Sequence, residues 1–259
     1  MTTAQGFERS RSLTSYLQHS AETDSTNREL MAASADLPNW AASVTDLQTA
    51  GRGRSGRTWE APAGSSLLVS VLVRPLGVSA TEFGWLPLIA GLSMANAISS
   101  FGGAQRAGVK WPNDLLIEEK KVCGILSELL PDVSGVVIGS GVNVFQTEDQ
   151  LPLDTATSLA IRGIRVESLD QLLAAYLTEL KRNVEEFESA RGDVDACTLR
   201  SRIKDACISL NRQVRVILPN QTEFIGEAID IDSLGRLVVK SANDTISVAA
   251  GDVVHLRHN

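Results

Sequence analysis

Three glycines and three arginines occur within seven consecutive residues of this chain, from Gly51 to Arg57. Glycine lets backbone N–H groups approach a ligand closely, and each arginine presents a planar fork of donors that matches a carboxylate or a phosphate. Trp59 follows two positions later and offers a flat face on which a base could stack. The spacing therefore predicts a loop that closes over a small molecule with several negative charges.

Gly51 to Gly56 also matches the G-x-G-x-x-G fingerprint of dinucleotide-binding folds. That fingerprint needs a helix directly after its glycines to hold a pyrophosphate, whereas Ala-Pro-Ala-Gly follows here at 61–64. No glycine precedes a lysine and a serine or threonine, so a Walker A loop is absent as well. Beside the ligand-binding loop, two interpretations stay open: an exposed turn without a ligand, and an arginine–glycine segment that binds RNA.

A second polar segment runs from Lys110 to Lys121. Pro112 fixes a turn that carries Asn113 and Asp114, and an amide next to a carboxylate suits a hydrated magnesium ion that also takes substrate phosphates. Taken alone, Pro-Asn-Asp is more often a plain turn, and a lysine before an apolar strand is usually a solvated edge charge.

A third segment places Gly139 and Gly141 inside an apolar run that ends at Asn143. Glycine within a strand marks a bulge or a close backbone approach, and an asparagine amide can read the edge of a base or a ribose. A bulge without a ligand explains the same residues.

The elements that must position these segments follow from hydrophobic periodicity and from proline and glycine breaks. Strands are predicted at 41–47, 66–74, 107–111, 115–118, 121–130 and 135–144, the second of them buried on both faces. Helices are predicted at 28–33, at 85–101, after a capping box at 168–171 as far as Gly192, and at 195–210. The first twenty or so residues read as a loose lead-in or a short helix.

The sequence pattern changes from helical periodicity to short β runs at about Asn211. Five short β runs follow, at 214–218, 223–231, 236–239, 245–249 and 253–256. They predict a small barrel appended to the larger body, with a division into a catalytic domain at 1–210 and a barrel at 211–259.

Composition narrows the class of protein. The 259 residues carry 24 lysines and arginines against 31 aspartates and glutamates, a net charge of -7, which argues against a broad nucleic-acid footprint. No apolar run approaches the roughly 20 residues of a membrane span, and no signal-peptide pattern opens the chain, so we expect a cytoplasmic protein without a membrane partner. Cys123, Cys197 and Cys207 lack metal-ligand spacing.

Five segments together resemble the biotin protein ligases, and they occur in that family's order. They are Asp-Ser-Thr-Asn at 24–27, Gln-Thr-Ala-Gly-Arg-Gly-Arg-Ser-Gly-Arg-Thr-Trp at 48–59, Lys-Trp-Pro-Asn-Asp at 110–114, Lys-Val-Cys-Gly-Ile-Leu at 121–126 and Gly-Ser-Gly-Val-Asn at 139–143. The match runs from about Thr23 to the end of the chain. A lipoate ligase, which shares the superfamily fold, is the nearest alternative enzyme, although the arginine–glycine loop argues against it. A nucleic-acid-binding module that uses the loop as a basic clamp is the alternative from another class.

The resemblance implies an α+β fold: a mixed β-sheet flanked by helices, of the class II synthetase and biotin ligase type, with a small SH3-like C-terminal β-barrel. It also implies a reaction in which biotin and ATP, with Mg²⁺, give biotinyl-5′-AMP, and a lysine of a biotin carboxyl carrier domain then accepts the biotin. Bifunctional members carry an N-terminal helix-turn-helix domain. Because Thr23 already belongs to the catalytic pattern, we expect a ligase without repressor activity.

The same resemblance assigns roles to individual residues. The expected biotin-binding residues are Ser25, Thr26, Gln48, Gly51, Arg52, Lys121 and Gly124. The expected ATP-binding residues are Arg54, Arg57, Trp59, Lys110, Asn113 and Asn143. Asp114 would bind the metal, and Arg52 and Lys121 would be catalytic. Cys123 stands where the family more often has alanine, which would put a thiol near the ligand.

Overall fold

Two β-sheets organise the protein, and the computed structural model describes them through residues 6–103 and 106–256. The larger sheet contains seven strands: β1 (Tyr16–Ser20), β2 (Ala41–Thr45), β3 (Ser66–Val73), β4 (Gly108–Lys110), β5 (Asp114–Ile117), β6 (Lys120–Leu129) and β7 (Val136–Asn143). Their order is β1-β2-β3-β7-β6-β5-β4, and the sheet is mixed because β1 runs parallel to β2 while every other neighbouring pair is antiparallel.

Of the two alternatives predicted for the lead-in, the structure contains the short helix, α1 (Glu8–Arg11), which precedes β1. Ser10 Oγ of this helix donates to Asp170 Oδ1 at 2.6 Å across 160 positions. The strand β1 was not predicted, because Leu17 is its one buried residue and the others are partly or fully exposed. Residues 1–5 of the lead-in and 257–259 of the predicted barrel lie outside the described residues.

Four further helices agree with the prediction in number more closely than in length. They are α2 (Thr26–Ala33), α3 (Leu86–Ser99), α4 (Leu169–Ser189) and α5 (Leu199–Ala206). Ser168 caps α4 by accepting from the Gln171 N–H at 3.2 Å, whereas the Gln171 side chain accepts from Glu167 N–H instead of completing the capping box. The helix predicted at 195–210 is wrong beyond Ala206, because Cys207 pairs with Val109 and the chain joins the sheet edge at β4.

One face of the larger sheet packs in the main hydrophobic core, and the other is only partly covered by α2. All eight residues of β3 are buried, which confirms the prediction of a strand covered on both sides. Leu67, Val69 and Val71 join the main core beneath α3 and α4, whereas Leu72 packs in a smaller cluster with Leu30 of α2. Because α2 covers only part of its face, the remainder of that face is left for a cleft.

The C-terminal residues form a five-stranded antiparallel sheet, in the order β11-β10-β9-β8-β12. Its strands are β8 (Arg212–Ile217), β9 (Glu223–Ile231), β10 (Leu237–Lys240), β11 (Thr245–Val248) and β12 (Asp252–His255), which confirms the five predicted runs. Two buried tryptophans of the larger body form hydrogen bonds with the connection between β9 and β10. Trp85 Nε1 donates to Ser233 O at 2.8 Å, and Trp111 Nε1 donates to Gly235 O at 3.0 Å. In the described part of the chain, no helix combines the length and apolarity needed to cross a membrane.

Candidate active site

A cleft of about 1120 Å³ opens between the larger sheet, the arginine–glycine loop and β12. Every predicted site residue except Gly51 lines it, although these residues come from five separate segments of the chain. Gly51 lies in the wall of a neighbouring cavity of about 1070 Å³, on the other side of the loop. The structure thus brings the predicted site residues together.

The arginine–glycine loop folds as a hairpin. Trp59 N–H donates to Gly51 O at 3.0 Å and Gly53 N–H to Arg57 O at 2.7 Å. A Cβ at Gly51 would lie 2.4 Å from Trp59 O, so only glycine lets the two arms approach this closely. Ser55, at the tip, has a positive φ of 54°, and the tip residues are exposed. The loop is therefore not packed into the core, and its opening in the absence of ligand stays a prediction.

Each loop arginine contacts a different element. Arg52 Nη2 donates to Glu128 Oε2 of β6 at 2.9 Å, and Arg54 Nη1 donates to Asn113 Oδ1 at 3.1 Å. Arg57 forms an ion pair with Asp252 of β12, which joins the loop to the C-terminal sheet. The pKa of Arg54 is lowered by burial, an effect that the neighbouring carboxylates oppose. The hairpin is thus held over the cleft from three sides.

A β-bulge in β6 decides which of its residues face the cleft. Leu115 pairs with Cys123 and Leu116 with Lys121, so Val122 is the extra residue between them. The bulge shifts the alternation by one position and turns Lys121 and Gly124 to the same face, so that a Cβ at Gly124 would lie 3.1 Å from Lys121 Nζ.

The same bulge corrects the expectation for Cys123. Without it, Lys121 and Cys123 would share a face and the thiol would lie beside the ligand. With it, Cys123 points into the core, where it is fully buried and burial raises the pKa of its thiol. The expectation of a thiol at the ligand is therefore wrong.

Positive charge gathers around Asp114 at the β5 end of the cleft. Lys121 Nζ lies 2.7 Å from Asp114 Oδ1, in an ion pair that lacks the direction of a hydrogen bond. Burial lowers the pKa of Lys110, with Asp114 acting to raise it and Lys121 to lower it. Asp252 and Asp114 both act on Arg54, which also lies near Arg57. Four cations, Lys110, Lys121, Arg54 and Arg57, around these two carboxylates leave an excess of positive charge, as a polyphosphate requires.

Trp59 lies inside the cleft above a floor of glycines. A Cβ at Gly141 would come within 2.6 Å of the indole ring, and one at Gly124 within 3.0 Å. Lys121 Nζ lies 5.5 Å from the ring centroid, within range of a cation–π interaction. The two glycines are therefore needed so that the ring can lie flat on β6 and β7.

The opposite end of the cleft is polar but uncharged. Ser25 stands at the N-cap position of α2, and Thr26 donates from its backbone and its hydroxyl to Gln48 Oε1 at 3.0 and 3.2 Å. Ser70 lies beneath them with its Oγ 2.7 Å from Thr26 Oγ1. These buried groups form a preorganised set of donors and acceptors for a neutral polar ring.

Asn27 is a site-forming residue of the Asp-Ser-Thr-Asn segment at 24–27 for which no role was predicted from the sequence. Its Nδ2 donates to Leu126 O at 3.1 Å and to Glu128 Oε2 at 2.7 Å, and its Oδ1 lies 2.6 Å from Ser70 Oγ. A Cβ at Gly139 would lie 2.2 Å from Asn27 Oδ1. Gly139 therefore makes room for the asparagine that fixes the start of α2 against the sheet.

Gly139→Ala should lower the free energy of unfolding by about 1–3 kcal/mol, because the added methyl group forces Asn27 out of its position. Urea denaturation of the purified variant measures this loss. Gly91→Ala is the matched control: its Cβ would lie 3.4 Å from Val109 in the interior of α3, where alanine is favoured over glycine. Equal stability of the two variants would contradict the role given to Gly139.

Asn143 is engaged within the protein on both sides of its amide. Its Nδ2 donates to Thr157 O at 3.0 Å, and its Oδ1 accepts from Gln146 Nε2 at 3.1 Å. These bonds fix residues 155–157, where Thr155 O accepts from the Lys121 backbone N–H at 2.8 Å. Contact between Asn143 and a nucleotide stays a prediction.

His255 at the end of β12 is a partly buried histidine at the rim of the cleft. Its Nε2 lies 2.9 Å from Ser209 Oγ. Burial lowers the pKa of His255 to about 4, with Lys110 and Arg212 acting in the same direction and Glu119 opposing them.

Because the pKa of His255 is lower in the folded state than its ordinary 6.5, the unfolded chain binds more protons between these values. We expect this histidine alone to lower the free energy of unfolding by on the order of 1–2 kcal/mol when the pH falls from about 7 to about 5. Urea denaturation at both pH values should show a smaller loss for His255→Gln. An equal loss in both proteins would contradict this expectation.

The donor set near Asp114 suits a magnesium ion held largely by substrate. Over residues 6–103 and 106–256, no group of three or more histidines, cysteines and carboxylates is arranged to hold a metal by itself. Magnesium ions usually take one or two protein carboxylates together with waters and phosphates. The partly buried Asp114 and the adjacent Asn113 therefore fit such an ion once a polyphosphate is present.

Comparison with known proteins agrees with this geometry. Residues 19–143 match the model of the biotin/lipoate A/B protein ligase family, and residues 209–256 match that of the biotin protein ligase C terminal domain. The chain is 37% identical over 242 residues to a biotin–[acetyl-CoA-carboxylase] ligase of Mycobacterium tuberculosis, covering 92% of this chain and 88% of that protein. It is 32% identical over 222 residues to the bifunctional ligase/repressor BirA of Escherichia coli, covering 84% and 67%.

A solved structure shows the same fold. The biotin protein ligase of Aquifex aeolicus in complex with biotin and ATP superposes with a TM-score of 0.77 and 26% identity, covering 94% of this chain and all of that one. The predicted mixed sheet flanked by helices, with an SH3-like C-terminal barrel, is confirmed. Since the two family models match segments in both sheets and the M. tuberculosis relative matches over 92% of this chain, the chain belongs to the biotin protein ligase family.

Proposed function

We propose that this chain is an ATP-dependent biotin protein ligase. It joins biotin to ATP as biotinyl-5′-AMP with release of pyrophosphate, and it then transfers the biotinyl group to a lysine of a biotin carboxyl carrier domain. The observation that carries this proposal is the division of one cleft into a neutral polar end at Thr26 and Gln48 and a cationic end at Lys110, Lys121 and Arg54. A ligand with an uncharged polar ring, an acidic chain and a nearby triphosphate matches both ends.

The neutral end binds the ring of biotin. Ser25, Thr26 and Gln48 supply hydroxyl and amide groups that pair with a ring bearing both N–H and C=O. Backbone groups of Gly51 and Gly124 contribute to the binding of the ring. The valeryl carboxylate then extends along β6 toward Arg52 and Lys121.

The first step brings two anions together. A carboxylate oxygen of biotin attacks the α-phosphorus of ATP, the bond from that phosphorus to the bridging oxygen breaks, and pyrophosphate leaves with the electron pair. Fixed cations lower the barrier by neutralising the charge that develops in the transition state. Arg52 and Lys121 supply this charge at the reacting carboxylate, while Arg54, Arg57 and Lys110 bind the triphosphate. No protein nucleophile is required.

The adenosine and the metal occupy the β5 end of the cleft. Trp59 provides a face for the adenine side, and Asn143 lies in the same wall. Asp114, with help from Asn113, would hold the Mg²⁺, and the ion would supply further neutralisation of the phosphate charge.

In the second step, the ε-amine of the carrier lysine attacks the acyl carbon, and the bond from that carbon to the phosphate oxygen breaks. AMP leaves with the electron pair, and the nitrogen loses a proton to give the amide. The recipient is the carrier domain of a biotin-dependent carboxylase, in keeping with the name of the M. tuberculosis relative. We propose a division into a catalytic domain at 1–210 and a barrel at 211–259. Action in the cytoplasm, without nucleic-acid or membrane partners, stays a prediction from the sequence.

Lipoate ligation is the competing function, because one family model covers both activities. Incubation of the protein with ATP, Mg²⁺ and a biotin carboxyl carrier domain separates them by intact mass. We expect the mass increase of one biotinyl group with biotin, none with lipoate, and none when the acceptor lysine of the carrier is replaced by arginine. Modification by lipoate alone would contradict the proposal.

A further inference from the structure

Glu128 lies where the polar end of the cleft meets the arginine loop. Along β6 it alternates on the same face as Gly124, and its side chain is 28% exposed. One of its oxygens, Oε2, accepts two hydrogen bonds: from Arg52 Nη2 at 2.9 Å and from Asn27 Nδ2 at 2.7 Å. No role was assigned to this residue from the sequence.

The position of this carboxylate is set by the rigid part of the fold. Asn27 is 4% exposed; its Nδ2 donates to Leu126 O, and its Oδ1 accepts from Ser70 Oγ and lies against Gly139. Glu128 itself belongs to a strand that is paired with neighbours on both sides. An acceptor held in this way has little freedom, so it can orient a donor that comes from an exposed loop.

Arg52 needs such a partner. Its side chain is 40% exposed, and it belongs to a hairpin whose other contacts reach the β4–β5 turn and β12. An unrestrained arginine loses much rotamer entropy when it binds a ligand, whereas a guanidinium already held on one edge keeps its remaining N–H donors directed. The bond to a carboxylate is charge-assisted and therefore among the stronger ones.

We propose that Glu128 is a positioning residue, which holds Arg52 so that its remaining N–H donors face the carboxylate of biotin. The inference rests on the proposed function for the identity of that carboxylate. The opposite role, a competitor that occupies Arg52 and must be displaced by biotin, predicts the opposite sign when the charge is removed. Glu128→Gln distinguishes the two, because the amide keeps an oxygen for Asn27 but lacks the negative charge that holds Arg52.

The experiment is calorimetric binding of two probes, biotin and the neutral biotinamide, to the purified proteins. For Glu128→Gln we expect the Kd of biotin to rise about tenfold, from loss of a charge-assisted hydrogen bond, with the Kd of biotinamide unchanged. In the Arg52→Ala background, Glu128→Gln should add nothing further, because the two residues act through one contact. Glu185→Gln, an exposed charge removal on α4, serves as the matched control and should leave both values unchanged.

Three results would overturn the inference: tighter binding of biotin by Glu128→Gln, equal loss of biotin and biotinamide, or an undiminished effect without Arg52. Equal loss would mean that the substitution damages the ring pocket and not the orientation of Arg52. One outcome is that the unmodified protein binds biotin and catalyses biotin-dependent pyrophosphate exchange while the effects of Glu128→Gln and Arg52→Ala on the Kd of biotin are additive. In that case only this inference fails. If the unmodified protein binds neither probe, the proposed function fails with it.

Discussion

Lys121→Ala should lower the rate of biotin-dependent ATP–pyrophosphate exchange by about 10²–10³-fold, because the variant lacks a fixed cation at the reacting carboxylate and α-phosphate. The structure holds this ammonium 2.7 Å from Asp114 and over the Trp59 ring, on a face to which the β-bulge turns it. Both partners are part of the ligand cleft, so the position is one that substrate would share.

The same substitution should cost less than about 1 kcal/mol of stability, since a partly exposed ion pair contributes little to folding. Asp114 also keeps Lys110 and Arg54 as neighbouring cations. Thermal melting alongside the exchange assay separates the two effects, and Lys120→Ala, which removes the exposed neighbouring lysine, is the matched control. A fall in exchange that merely follows a fall in melting temperature would contradict a catalytic role.

Arg54→Gly should release the activated intermediate. Its guanidinium donates to Asn113 and lies among the charges of the phosphate end, so its removal opens the hairpin on the side that covers the adenylate. We expect the dissociation rate of biotinyl-5′-AMP to rise about tenfold or more, from the loss of a charge-assisted contact. Proteins without a carrier domain would then acquire biotin on their lysines, which blotting of a mixture of bystander proteins detects.

Two controls make this second prediction specific. Arg165→Gly removes an exposed loop arginine away from the cleft and should leave the labelling of bystander proteins unchanged. Combining Arg54→Gly with Lys121→Ala should abolish the bystander labelling, because little adenylate is then made. Unchanged selectivity together with unchanged turnover in Arg54→Gly would contradict the retaining role of the loop.

The sequence predicted the parts of the site that are local in the chain. The hairpin around Arg54 and the turn at Asn113 were predictable because each combines residues that determine the backbone conformation, glycine or proline, with polar side chains at adjacent positions. The buried strand β3 was equally predictable, since eight consecutive buried residues leave few alternatives.

Contacts between distant segments were not predictable in the same way. Glu128 meets Asn27 across 101 positions and Asp252 meets Arg57 across 195, and a lone carboxylate carries no local signal of its partner. The bulge at Val122 was also hidden, and it reversed the expected facing of Cys123. The edge strand β1 was not predicted, because a strand with one buried residue shows no alternation of apolar and polar positions.

The most direct measurement of the central claim is ATP–pyrophosphate exchange by the purified protein without any carrier domain, with and without biotin. We expect exchange that requires biotin and Mg²⁺ and that is strongly reduced in Lys121→Ala but not in Lys120→Ala. Exchange that proceeds equally without biotin, or that lipoate supports in its place, would contradict the claim that this cleft activates biotin as its adenylate.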